Sequence, residues 1–538
     1  MAAKNLILRA RRRLKLICAH QKSDQRTRRA AALVAEQAPK PEGAPLVFFN
    51  ASTRLSGMSL NAAFSLLSAW SLRLQGTPVV NFVCQRGMTQ CVLGTDRAEP
   101  PKAPPCQSCM RQSRALYHDG VNKPFGFGSD AALDKALSGL DLAGLSAFSW
   151  QGMPLGELVL PSARWILRRH HLQEDPVTLR ILREYIRSAW SISLRFITLL
   201  DEVKPAAVVV FNGMQYPEAA ARWVARQRGL PVYSHEVGLR PMSAFFTPGD
   251  ATAYPLTLPE DFELNETQNA RLDAYLQKRF QGNFIMAGVR FWPEMSGLDP
   301  EFVAHAKNFR QLVPVFTNVI FDTSQPHANL LYEDMFTWLD EVLESARAHP
   351  DTLFVIRAHP DEARKGKASE ESVAEWARRK QVEQLPNIRF IRPETYISSY
   401  DLIRMAKFVM VYNSTIGLEA SILGALVLAA GRSRYSQADT VNFPASRQEY
   451  QRELEKLLLA QAVSAPERCR QNARRFLYYQ LYRSSLPFDA FLEEDQTWAG
   501  YVRLKTFDPR ELLPENSPTM RVISDGLLAG GDFLLKED

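Results

Sequence analysis

Four polar clusters stand where apolar, strand-like runs end, and their residue types suit the handling of an anion. Asn413-Ser414-Thr415, with Glu419 four residues on, follows the run 408–412 and opens the helix pattern 416–423, which Gly424 closes. Strand, polar turn, helix and second strand (426–429) make a βαβ unit, and open α/β sheets bind ligands at such carboxyl ends. Backbone N–H groups with two hydroxyls beside them suit phosphate. Arg357-Ala358-His359-Pro360-Asp361-Glu362 ends the run 352–356, and Asp322-Thr323-Ser324-Gln325 ends 313–321. In the N-terminal half His235-Glu236-Val237-Gly238 ends 231–234. Arg357 and His359 supply charge, Ser414 and Thr415 directional donors. Three of these clusters converge along one sheet edge and the fourth faces them across a cleft. The competing reading of each is a capped turn in an ordinary α/β domain.

A second constellation is Cys84-x6-Cys91-x14-Cys106-x2-Cys109. Pro100, Pro101, Pro104 and Pro105 make the intervening segment a loop. In a reducing compartment four such thiols favour a metal over disulfides. Tetrahedral zinc in a structural role is the expectation, an iron–sulfur cluster the alternative, and free or redox-active thiols the competing reading.

Composition bounds the rest. The 538 residues, 46% hydrophobic and 23% charged, suit a globular chain of two or three domains. Of the net +7, residues 1–30 carry +9, ten Lys or Arg against Asp24 alone, so the remaining 508 sum to about −2. A body of that charge argues against nucleic acid as a partner. In the basic segment Ile7, Ala10, Leu14, Ile17 and Cys18 share one helical face, a pattern that suits an anionic membrane surface. A solvated tail is its rival. With no apolar run of membrane-span length and no signal-peptide core, a cytoplasmic protein is expected, seated peripherally on the inner face of the membrane.

These residues must be positioned by alternating strands and helices. The pattern predicts strands at Leu46–Asn50, 78–83, 206–211 and 231–234, with helices at Leu60–Leu74, 178–200 and 217–228. A second series follows Glu266–Phe280 and the aromatic stretch Phe291-Trp292-Pro293. It has strands at 313–321, 352–356, Ile388–Ile391, 408–412 and 426–429, a helix at 331–348, and a closing helix at 466–482. Alternation of this kind indicates parallel sheets. The expected architecture is α/β: a basic arm (1–37), a Rossmann-like first domain (38–285) carrying the cysteine loop (84–109), a hinge (286–312), a second Rossmann-like domain (313–465), and a helix and tail (466–538). Glu333, Asp334, Asp340, Glu341 and Glu344 read as a solvated helix face.

Arg357-Ala358-His359-Pro360-Asp361, followed by Ser414-Thr415-Ile416-Gly417-Leu418-Glu419-Ala420 and by Gly424, Val427 and Tyr435, resembles the capsule polysaccharide synthesis family. That family includes β-Kdo transferases of GT-B fold. The resemblance implies a glycosyltransferase whose His-Pro and Ser/Thr motifs grip the phosphate of a CMP-linked or other nucleotide-sugar donor. Arg357, His359, Pro360, Asn413, Ser414, Thr415, Gly417 and Glu419 would form that grip, with Ser324 and Gln325 beside it. An acidic-acidic-Gly motif supplies the family's catalytic carboxylate. Here Glu236-Val237-Gly238 is similar but has Val at the second acidic position, and His235 and Asp322 are the neighbouring candidates. The acceptor would be a surface polysaccharide or glycolipid. No Asp-x-Asp occurs in the chain, so no catalytic metal is expected. The alternatives are a CDP-glycerol-type polyol-phosphate transferase and a non-catalytic scaffold of a polysaccharide synthesis or export complex.

Overall fold

The computed structural model describes residues 2–51, 57–281, 285–286, 289–290, 296–364, 368–498 and 500–537, with side chains from residue 16 onward except in 285–290. Phe291, Trp292 and Pro293 of the expected hinge lie outside the described residues, as do the side chains of Ile7, Ala10 and Leu14.

The first domain is a twisted sheet covered on both faces. Its strands β1 (Leu46–Asn50), β2 (Val79–Cys84), β3 (Val121–Phe125), β4 (Ala207–Phe211), β5 (Val232–Val237) and β6 (Ser243–Pro248) lie in the order β6-β5-β4-β1-β2-β3. All neighbours are parallel except β5 and β6. Because side chains alternate along a strand, Leu46 and Phe48 enter one apolar layer and Val47 and Phe49 the other. The first layer is supplied by α1 (Ala2–Gln37) and α2 (Leu60–Leu74). Ser59 caps α2 by accepting the Ala62 N–H at 3.1 Å. The cysteine loop leaves β2, returns through α3 (Cys106–Leu116) and reaches β3. On the other face lie α4 (Pro176–Val203) and α5 (Tyr216–Gln227). Asp175 accepts the Val177 and Thr178 N–H groups, each at 2.9 Å, and Pro176 fills the first helical position of α4.

The segment 1–37 is not detached from the body throughout. Ala31 and Val34 are fully buried, and the Arg26 guanidinium donates to Glu493 Oε1 (3.0 Å) and the Leu504 carbonyl (2.6 Å). Ile17 and Cys18 of the expected membrane face are exposed.

The second domain begins before the expected boundary at 285, because α6 (Glu266–Phe280) buries Leu272 and Leu276 in one of its apolar layers. Its strands β7 (Gln311–Phe316), β8 (Thr352–Arg357), β9 (Ile388–Ile391), β10 (Val409–Val411) and β11 (Val427–Ala429) are all parallel, in the order β9-β8-β7-β10-β11. Val313 and Val315 face the layer of α7 (Met335–Ala348), whereas Leu312 and Phe316 face the layer containing α8 (Ser399–Met405) and α9 (Ile416–Ile422). Trp338 of α7 is fully buried and donates Nε1–H to Tyr450 Oη at 2.8 Å, so its polar atom is satisfied while the ring is removed from water.

The C-terminal residues do not form one unit. The helix α10 (Glu467–Tyr478) packs on α9, and a π turn over 479–483 carries the chain back to the first domain. There β12 (Leu486–Pro487) extends the sheet antiparallel to β6, α11 (Pro518–Ala529) packs on α2, and Phe533 lies against Tyr233 and Phe246. The expected unit 466–538 is therefore divided between the domains. The result is two Rossmann-like domains facing across a cleft, the GT-B-like architecture expected.

The acidic run of α7 is a solvated face only in part: Glu333 and Glu344 are exposed, but the other three acids are engaged. Asp334 is buried and caps the helix, accepting the Phe336 N–H (2.6 Å), and Asp340 accepts from Trp376 Nε1 (2.8 Å). Glu341 accepts from the Tyr332 hydroxyl (2.7 Å) and pairs with Arg447 (2.9 Å). Trp376 and Arg447 are remote in sequence, and helical spacing does not report such partners.

Candidate active site

At the carboxyl edge of the second sheet a cavity of about 320 Å³ is lined by Arg357, His359, Pro360, Ser414, Thr415 and Glu419. Two of the four sequence clusters thus meet. Strand β8 ends on Arg357, whose buried guanidinium donates to Ser399 Oγ of α8. Among the described residues no carboxylate pairs with it. Burial lowers its pKa to about 10, the signature of a cation held out of water without a counter-ion. His359 caps the turn Pro360–Ala363: its Nδ1 accepts the Asp361 N–H at 3.2 Å. Burial lowers the pKa of the ring, and a neutral ring accepting at Nδ1 carries its proton on Nε2.

Glu419 lines the cavity, but its oxygens are already engaged. Arg279 of α6 donates two N–H groups to Oε1, the Nε contact at 2.9 Å, and the Tyr400 hydroxyl donates to Oε2 at 2.6 Å. Glu419 therefore orients Arg279, which also lines the cavity, rather than meeting a phosphate itself. Arg279, Ser399, Tyr400 and Arg404 are cavity residues that sequence reasoning missed. No local pattern marks them, since each is an ordinary polar position on a helix. Gly417 does not line the cavity. A Cβ there would lie 2.5 Å from Tyr435 Oη and 3.1 Å from Val411 Cγ2, so the position is kept small by packing. Asn413, Ser324 and Gln325 also lie off the cavity. Gln325 is buried, its Nε2 donating to Asn413 Oδ1 at 3.4 Å, and the Asp322 carboxylate accepts the Ser324 N–H at 2.9 Å to shape the turn. Short polar side chains after a strand serve turns as readily as ligands.

The second cavity, about 860 Å³, lies between the domains and is lined by Glu236, His235, Asn212 and Asn61 from the first and Thr323 and Arg364 from the second. Strand β5 runs through Val237, longer than the sequence pattern indicated, so Glu236 stands on the strand and not beyond it. The Asn212 Nδ2 donates to Glu236 Oε2 at 2.8 Å, and Oε1 accepts from Asn61 Nδ2 (3.3 Å) and the Val237 N–H (2.8 Å). Asn212 holds this pose with a left-handed backbone, φ 62°, a conformation asparagine tolerates better than most residues. Burial raises the Glu236 pKa, partly offset by these donors, and the nearby charge of Asp322 adds to the rise. Asp322 is also within electrostatic reach of His359. It thus stands between the carboxylate of the cleft and the cationic cavity. His235 is packed between Phe211 and Phe246, with ring centroids 6.0 and 5.3 Å away, and burial lowers its pKa to about 3. A ring so held stays neutral and is poorly suited to carry a proton.

The domains are tied across the cleft. His171, in the loop after the helix Leu155–Leu167, meets Glu371 Oε1 (2.7 Å) and Asp334 Oδ2 (3.2 Å), and His327 meets Asp250 (3.1 Å). The four cysteines lie around a third, small cavity in the first domain.

The chain is similar to several known proteins. Protein FixF of Sinorhizobium fredii (strain NBRC 101917 / NGR234) is 32% identical over 109 residues, 20% of this chain and only 23% of that protein's length. Among solved structures, the β-Kdo 2,4-transferase KpsC of Thermosulfurimonas dismutans aligns at 13% identity over 57% of this chain and 87% of its own, with a TM-score of 0.35. The UDP-GlcNAc 2-epimerase of Neisseria meningitidis aligns at 12% identity over 82% and 99%, with a TM-score of 0.24. Residues 302–463, which include β7 to β11 and the cationic cavity's Arg357, His359, Ser414 and Thr415, match the family described as capsule polysaccharide biosynthesis protein. Over that span the chain carries the pattern of this family, the one its His-Pro and Ser-Thr motifs resemble.

Proposed function

We propose that the protein is a glycosyltransferase of surface polysaccharide synthesis that takes a sugar from a nucleotide-activated donor. The observation that carries this reading is Arg357: a buried guanidinium, without a carboxylate partner among the described residues, opening into a cavity of nucleotide-binding size. Such a cation is stabilised by a bound anion, and the Ser414 and Thr415 hydroxyls beside it suit the same phosphate. The family match of the same domain supports the reading.

In this scheme the bond between the sugar's anomeric carbon and the donor phosphate breaks. An acceptor hydroxyl in the interdomain cleft forms the new glycosidic bond. Its proton passes to Glu236, whose raised pKa suits a general base. Negative charge on the departing phosphate is met by Arg357, Ser414, Thr415 and the Nε2–H of His359. With no Asp-x-Asp in the sequence, this charge is assigned to protein groups, and activity without added Mg²⁺ or Mn²⁺ checks that assignment. A Kdo-like, CMP-linked sugar is the first donor to try. The basic segment 1–30, with Ile17 and Cys18 exposed, supports peripheral seating on an anionic membrane where a glycolipid acceptor resides.

The test is donor binding and hydrolysis across CMP-, CDP-, UDP- and GDP-linked sugars and CDP-glycerol. A nucleotide-sugar preference lost in Arg357→Met supports the reading. Preference for CDP-glycerol would make the protein a polyol-phosphate transferase, and binding of no nucleotide would leave a scaffold.

A further inference from the structure

The cysteines take no part in the reaction just described, yet the fold gathers them. Cys84 at the end of β2, Cys91 in the loop, and Cys106 and Cys109 in the first turn of α3 all line one cavity of about 30 Å³. We propose that these four side chains bind a single structural zinc ion, which sets the wall of the interdomain cleft.

Three features of the backbone favour thiolates here. Cys84 and Cys91 begin matching turns: the Gly87 N–H donates to Cys84 Sγ at 3.3 Å and the Gly94 N–H to Cys91 Sγ at 3.2 Å. Amide donors three residues after a cysteine disperse sulfur charge and orient the ligand, as outer-shell donors do at metal centres. The second pair is spaced i, i+3 on an eleven-residue helix, so both sulfurs fall on one side of its first turn. Finally, the turn at Cys91 closes directly on the proline-rich return. A Cβ on Gly94 would lie 2.8 Å from both Cys91 Sγ and Pro104 Cβ, so glycine is required for the approach.

The loop is held in this shape from outside. The Tyr216 hydroxyl of α5 donates to the Gln90 carbonyl, Gln90 Nε2 donates to the Pro100 carbonyl (2.7 Å), and Thr95 Oγ1 donates to the Cys91 carbonyl (2.8 Å). None of the four is in a disulfide. Among the described residues no three sulfurs lie within 4.8 Å of one another, so metal binding would contract the cluster. Zinc–sulfur bonds of about 2.3 Å define the end point. Four protein ligands leave no open position, which assigns the ion to structure and not to water activation. Cys91, Met88 and Leu93 also line the interdomain cleft, so the same ion would fix one wall of the space given above to the acceptor.

The full-length protein, purified without added metal or chelator, is expected to contain about one zinc per chain by elemental analysis. Titration of its thiols with a mercurial should release that zinc in step with the modification, a readout that needs no variant to fold. Cys109→Ser and the double variant Cys106→Ser/Cys109→Ser should lose the metal and melt at lower temperature. Nucleotide affinity at the Arg357 cavity should stay within about twofold, which separates this site from the donor site. Iron with visible absorption, or metal-free protein with four rapidly titrating native thiols, overturns the proposal. Retention of full zinc in the double variant overturns it as well.

Discussion

The two cavities treat charge in opposite ways. In the second domain the buried group is a cation, Arg357, tied only to the neutral Ser399 hydroxyl among the described residues. In the cleft it is a carboxylate, Glu236, held by the neutral amides of Asn212 and Asn61 with no lysine or arginine bonded to it among the described residues. Each is denied the counter-ion that would quench it. A paired carboxylate would have a lowered pKa and be a weak base, and a paired guanidinium would meet a phosphate with its charge already neutralised and fewer N–H groups. Glu419 and Arg279 show what pairing does: their ion pair is buried, mutually satisfied and suited to scaffolding. One cavity is thus built to hold an anion, the other to exchange a proton.

The largest expected effect breaks the proton side. Glu236→Gln keeps the shape and the Asn212 contact but cannot accept a proton, so turnover should fall by roughly 10²-fold or more with donor affinity unchanged. Near-normal turnover would move the role to Asp322, the next carboxylate along the cleft. Stability sharpens the same point. Folding raises this pKa, so the ionised form costs stability as pH rises beyond its unfolded value. Because Gln must turn its NH2 toward the Asn61 and Val237 donors, Glu236→Gln should melt lower than the parent at low pH, with a deficit that shrinks as pH rises; a deficit independent of pH would mean that folding does not raise this pKa.

On the anion side, Arg357→Met should weaken nucleotide binding by about 1.5–3 kcal/mol, the range for a hydrogen bond to a charged group. The ligand-free protein should lose little stability, because replacing a desolvated, unpaired charge by an apolar side chain of similar length is close to neutral. Equal losses of binding and stability would make Arg357 a scaffold residue like Arg279.

A pH profile compares the two directly. As a base Glu236 must be ionised, so kcat/KM should fall as pH drops through a pKa above the ordinary glutamate value of about 4.3. Arg357 stays charged throughout that range, so donor binding should not follow the same limb. A binding curve that tracks the rate would tie both to one group.

The smallest effect concerns the tie that sets the two cavities facing each other. His171 has a pKa raised to about 10 by the hydrogen bonds its ring donates to the Asp334 and Glu371 carboxylates, and His171 in turn helps hold Asp334 at about 2. The histidine's contribution is full below its unfolded pKa of about 6.5 and is lost as pH rises through about 10. The carboxylates' contribution is present above about 4 and lost as pH falls toward 2. His171 is more than half exposed, so His171→Ala should cost less than about 1 kcal/mol. Its stability deficit should be greatest between about pH 4.5 and 6.5 and shrink on either side. A deficit independent of pH would mean the ring acts through packing alone.

Much of the architecture was legible from periodicity. The helices Leu60–Leu74 and Glu266–Phe280 and the strands Leu46–Asn50 and Ile388–Ile391 lie where the pattern puts them. Hydrophobic period, caps and punctuating glycines are local signals. Arg357, His359, Ser414 and Thr415 share one cavity because the carboxyl ends of parallel strands open on the same edge of a sheet, a consequence of topology that alternating elements already imply. The partners were another matter. Asn61 reaches Glu236 from 175 positions away, Arg279 reaches Glu419 from 140, and residues 486–487 complete a sheet whose previous strand ends at Pro248. The same polar residue can cap a turn, neutralise a charge or face a ligand, and its own neighbours in sequence are alike in all three cases. Sequence thus determined which segments are strands and helices and which motifs meet at a sheet edge. Only the tertiary structure decided which charges are paired and which are left for chemistry, because pairing depends on groups that the chain brings together only once both domains have folded.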